Sequence, residues 1–153
     1  MFDTIAGIPV HALVVHAVVV LAPLTALLLL AFSVSGRFRT WSGWLTPAVG
    51  ALTTLAAFVA ASSGEELEHR VGSGGLVEEH AELGEVLPWV TLAATVVAVL
   101  LWWLWRRGTA VGAFRILAVL GVLAALGLAV DVTLVGHSGA KAVWSGIGSQ
   151  PAP

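Results

Sequence analysis

Apolar residues along this chain gather into four long stretches, and polar residues are confined to the breaks between them. A helix needs about 20 mostly apolar residues to cross a bilayer. The first stretch runs from Val10 to Val34, with Pro9 suited to a helix start and Ser35-Gly36 to its stop. Pro23 within it removes an amide donor from the Val19 carbonyl and predicts a kink. The second covers residues 44–63, opened by Thr46-Pro47 and closed by Gly64. The third covers residues 86–105, with helical pattern beginning near Leu76 and Pro88 marking a bend where an interfacial turn enters the membrane. The fourth covers residues 114–135 and ends at Gly136. Gly72-Ser73-Gly74-Gly75 reads as a flexible connector between the second and third. The pattern predicts an all-α protein: one integral membrane domain over residues 1–153, built as a four-helix up-down bundle.

Composition agrees. Hydrophobic residues form 58% of the chain and charged residues 10%, against about 25% charge in a soluble domain. Residues 1–10 carry no Lys or Arg, so the first apolar stretch is expected to remain as a helix and not to be cleaved as a signal peptide. The absence of cysteine excludes disulfides, thiolate metal sites, iron–sulfur ligation and c-type haem attachment.

The charges sort by side. Arg37, Arg39, Arg106, Arg107 and Arg115 fall in the two short breaks on one side. Every carboxylate, from Asp3 through Glu65, Glu66, Glu68, Glu78, Glu79, Glu82 and Glu85 to Asp131, falls towards the other. Basic residues in short loops mark the cytoplasmic side, so both termini and the acidic loop are expected outside the cytoplasm. Trp41, Trp44, Trp102, Trp103 and Trp105 are placed as an inner aromatic belt, and Trp89 and Trp144 as an outer one. The expected location is a bacterial inner membrane, crossed several times, with the lipid bilayer as a partner and no nucleic-acid partner.

All five histidines lie where the stretches surface on the acidic side: His11, His16, His69, His80 and His137. His11 and His16 are five residues apart, so they diverge by about 140° and cannot form an i, i+4 metal clamp. His16 sits about 7.5 Å deeper, and a polar group inside a span usually faces the bundle interior with a partner. It is therefore the histidine of that helix expected to point inward. His69, in a charged break, is read as a solvated side chain. Asp131, the one carboxylate inside a span, is placed to orient a ligating imidazole, to pair with Lys141, or to lie exposed at the interface. The run Glu78, Glu79, Glu82 and Glu85 reads as a solvated helical face. No hydrolase triad, phosphate loop, H-E-x-x-H or dinucleotide fingerprint is present.

Several short motifs recur in a characteristic order: His11-Ala-Leu-Val-Val-His16, Ser63-Gly64-Glu65-Glu66, Glu79-His80, Gly136-His137-Ser138-Gly139 and Val143-Trp144-Ser145-Gly146. In this order the chain resembles, over nearly its whole length, the bacterial membrane family called domain of unknown function 2231. Ala17-Val18 stand where that family often has Phe-Pro, and Gly139-Ala140 and Trp144 where it has Gly-Gly and Tyr. Members look like four-helix cytochrome b-type bundles, some fused to Rieske-type domains, so the resemblance implies electron transfer.

Two cofactor readings follow. A b-type haem would take axial imidazoles from facing helices. The first and third spans can face each other diagonally, which selects His16 with His80, and His137 or His11 as substitutes. A quinol or a periplasmic redox protein would then be the partner, and the chain an electron-transfer or accessory subunit more than a stand-alone enzyme. Alternatively, His16, His80, His137 and Asp131 would hold Zn or Cu in a sensor or transport accessory. The residues alone leave haem and metal level; the resemblance favours haem. A blander alternative is a structural partner subunit whose histidines tune an interface.

Overall fold

The computed structural model describes residues 4–5, 7–71, 74–108 and 110–145. Asp3, Gly72, Ser73 and Gly146 of the sequence reading lie outside them. A two-residue hairpin, β1 (Thr4–Ile5) with β2 (Ile8–Pro9), leads into α1 (Val10–Val34), followed by α2 (Gly36–Ser42), α3 (Leu45–Val71), α4 (Gly75–Arg106) and α5 (Val111–Trp144). Four of these, α1, α3, α4 and α5, are long and apolar enough to cross a membrane. The result is an all-α membrane bundle.

Two helices run past the ends predicted for them. Glycine at 64 does not stop α3, and Gly136 does not stop α5, which continues to Trp144. Glycine costs a helix interior only about 1 kcal/mol, less than the packing that continues on either side. Likewise α1 passes unbroken through Pro23 and α4 through Pro88. The residues after α1 form the short helix α2, which Ser35 opens by accepting a hydrogen bond from the Phe38 amide at 3.2 Å. Arg39 of α2 donates to the carbonyls of Phe32 at 2.8 Å and Ser33 at 3.2 Å, the end of α1 that lacks amide partners. Its guanidinium also lies 4.7 Å from the centre of the Phe114 ring, so one side chain joins α1, α2 and α5.

Around the bundle the order is α1–α3–α4–α5, each packed on its neighbours, with α1 and α4 on a diagonal. The interior consists of small residues such as Ala22, Ala57, Ala94 and Ala125 with a few large ones, Leu29, Phe32, Leu101 and Leu128. Lipid offers no hydrophobic drive for helix association, so close approach and buried polar bonds carry more of it. Thr25 meets Thr53 at 2.6 Å across α1 and α3, and Thr54 meets Thr95 at 3.0 Å across α3 and α4. Such bonds average about 0.6 kcal/mol each. Gly121 of α5 lies directly against Ser33 of α1 and Leu101 of α4.

The wide apolar faces of α1 and α5 turn outward, as in Val20, Leu27, Ile116 and Leu123. Trp41, Trp44 and Trp103 are exposed near the basic end. Trp102 and Trp105, expected in the same belt, instead pack partly buried against the core, where Trp105 meets Phe32 edge-on at 6.1 Å.

Candidate functional site

At the acidic end the four long helices meet in one layer, and two imidazoles occupy it. The ring of His11, in the first turn of α1, lies 6.4 Å centre to centre from that of His80 on α4, at an interplanar angle of 75°. They reach each other across the diagonal. The other two helices contribute glycines at this level. A Cβ on Gly64 of α3 would stand 3.0 Å from Cε1 of His11, and one on Gly139 of α5 would stand 3.0 Å from Cε1 of His80. Each ring is thus seated against a helix backbone that only glycine leaves open.

Hydrogen bonding fixes which nitrogen of each ring carries the proton. Nδ1 of His11 lies 2.9 Å from the Ala60 carbonyl, an acceptor only, so Nδ1 is the donor. Nδ1 of His80 lies 3.0 Å from the Ser138 hydroxyl, which spends its own hydrogen on the Val135 carbonyl at 2.9 Å. Ser138 therefore accepts and His80 donates. Each ring thus donates from Nδ1, and in its neutral form the lone pair is left on Nε2. This is how metal-ligating histidines are usually oriented, by a partner on the second nitrogen.

The remaining residues expected at the site stand elsewhere. His16 is exposed, and its Nδ1 hydrogen bonds the Ala12 carbonyl of its own helix. The expectation that His16 and not His11 points inward is reversed. The inward stripe of α1 runs Val18, Ala22, Thr25, Ala26, Leu29, Phe32, and stepping back from Val18 by a helical turn or two reaches Val15 and His11. His16 falls one residue off that line, about 100° away. His137 is exposed too, because α5 continues as a helix and turns its neighbour Ser138 inward instead. His69 is exposed on the last turns of α3.

Asp131 lies seven residues from Ser138 along α5, about 10 Å, so it does not orient His80; Ser138 does. Lys141 is ten residues from it, too far along the helix for a pair. The Asp131 Oδ2 is enclosed without a hydrogen-bond partner. Among the described residues no three His, Asp or Glu side chains come together as a metal-binding group, so the closed set of His16, His80, His137 and Asp131 is not assembled. Ser138, Gly64, Gly139 and the Ala60 carbonyl are the site residues whose roles were missed, although three of them lie within the short motifs of the sequence.

A family model described as "Predicted membrane protein (DUF2231)" matches residues 7–151. The chain belongs to the DUF2231 family. As a DUF2231 protein with four apolar helices it is a multi-pass membrane protein. No curated protein and no solved structure matches it. Within this DUF2231 chain, replacing His16 by alanine is expected to leave the helical content and thermal midpoint in detergent unchanged, since the ring is exposed and hydrogen bonds its own helix.

Proposed function

We propose that this DUF2231 protein binds haem b between His11 and His80 and carries electrons at the outer side of a bacterial inner membrane. The observation supporting it is the pair of imidazoles that meet across the bundle, each anchored at Nδ1. Two imidazoles on opposite sides of one metal, each nitrogen about 2 Å from it, place their ring centres roughly 6 Å apart, and those here are 6.4 Å apart. Haem iron takes four ligands from its macrocycle and asks the protein for two, whereas a structural zinc site takes four from protein. A pair therefore fits haem better than a zinc or copper cage. The glycines at 64 and 139 let the backbones of α3 and α5 come up against the two rings and hold them in place.

In this reading His11 and His80 would hold the haem. The Ala60 carbonyl and Ser138 hold the ring tautomers and so raise ligand basicity. Bound haem would supply one-electron exchange; the chain supplies position, an apolar bundle beneath, and an acidic rim above. The basic end, with Arg37, Arg106, Arg107 and Arg115, faces the cytoplasm by the positive-inside rule.

The test is an absorption spectrum of protein purified from a haem-replete host, oxidised and then reduced. A Soret band with a sharpened α-band on reduction is expected at one haem per chain. Lack of both, after reconstitution with hemin as well, overturns the proposal.

A further inference from the structure

We infer that the groove between the start of α1 and the outer half of α3 binds the ring of a lipid-soluble quinol. The groove encloses about 370 Å³, within the range of small-molecule sites. Its α3 wall is a single stripe with a gradient of polarity. Phe58 and Val59 lie deepest, Ser62 and Ser63 follow one turn on, and Glu66 and Leu67 stand at the rim. Over about 12 Å of helix the wall changes from hydrocarbon to hydroxyl and then to a mixed rim. A molecule with an apolar tail in the bilayer and a polar ring near the surface matches that order.

The polar groups also select the chemistry of the head. Ser62 donates to the Phe58 carbonyl at 3.0 Å and Ser63 to the Val59 carbonyl at 2.7 Å. Their hydrogens are therefore committed, and what they offer a ligand is oxygen lone pairs. Acceptors suit a neutral ring whose own hydroxyls donate. Finally, His11 lines the groove while facing His80 in the paired layer. A ring held there would lie against one of the proposed haem ligands, so the inference names the electron donor of that centre and rests on that reading.

Phe58 meets Trp89 edge-on at 5.4 Å, which places an indole behind the groove as a reporter. The experiment titrates full-length protein in lipid nanodiscs, under anaerobic reducing conditions, with tetramethylhydroquinone and follows tryptophan fluorescence, a readout that does not require haem. Saturable quenching is expected, weakened about tenfold by Ser62→Phe, which fills the groove, and unchanged by Leu123→Phe on the outer face of α5. An azido-hydroquinone should label peptides of α1 and α3. Quenching that rises without saturation, or is the same in Ser62→Phe, overturns the inference. So does competition by phosphatidylglycerol, which would make the groove a lipid site. A missing Soret band overturns the haem reading alone, and a Soret band with no saturable quenching overturns this one alone.

Discussion

Replacing His80 by alanine is expected to abolish the Soret band, and His11→Ala is expected to do the same, while His16→Ala keeps the spectrum of the parent protein. Loss of an outer partner of a ligating histidine typically lowers affinity about 10- to 100-fold, so Ser138→Ala should fall in that range. Loss of the ligand itself should exceed it. The difference between His11 and His16 is the sharp part of the prediction, because the two lie five residues apart on one helix and only geometry separates them. Adding free imidazole to His80→Ala should restore part of the band, which distinguishes a missing ligand from a misfolded bundle. Equal loss from His16→Ala would refute the assignment of the pair.

Gly121→Ala is expected to lower the stability of the bundle by about 1–3 kcal/mol. A Cβ there would collide with the Ser33 hydroxyl and stand 2.8 Å from Cδ1 of Leu101. Neither can yield easily: Leu101 is fully buried, and Ser33 is buried and bonded to the Leu29 carbonyl at 2.7 Å. Alanine favours a helix by about 1 kcal/mol over glycine, so the collision must outweigh that gain. Gly127→Ala isolates the gain, since nothing lies within 4 Å of its added methyl. Denaturant titration in mixed micelles should therefore move the two variants in opposite directions. A neutral or stabilised Gly121→Ala would mean α1 and α4 can part from α5 without cost.

Much of this architecture was readable from residue order. Four apolar stretches, with basic residues in two short breaks and acidic ones elsewhere, fix an antiparallel bundle almost without alternatives. What resisted was rotation about the helix axes. In α1 nearly every residue is apolar, so hydrophobicity has no preferred face and depth alone favoured His16. Small and polar residues carried the missing signal. Ala22, Thr25, Ala26 and Ser33 mark the inner face, and extending their spacing backwards selects His11. In α5 the error had a different origin. Reading Gly136 as a stop left the rotation of the next residues undefined, whereas a helix continuing through it turns Ser138 in and His137 out. The partners at Nδ1 could not be read at all, because a backbone carbonyl of α3 and a serine on α5 become neighbours of these rings only after the helices assemble.

The paired layer draws on every long helix: rings from α1 and α4, the Ala60 carbonyl with Gly64 from α3, and Ser138 with Gly139 from α5. If one helix slid along another by a single residue, about 1.5 Å, a ring would lose its anchor and its seat together. The gap between the two imidazoles is in this sense a gauge of alignment for the entire bundle, and mechanical disturbance anywhere along a helix would be felt first at that gap.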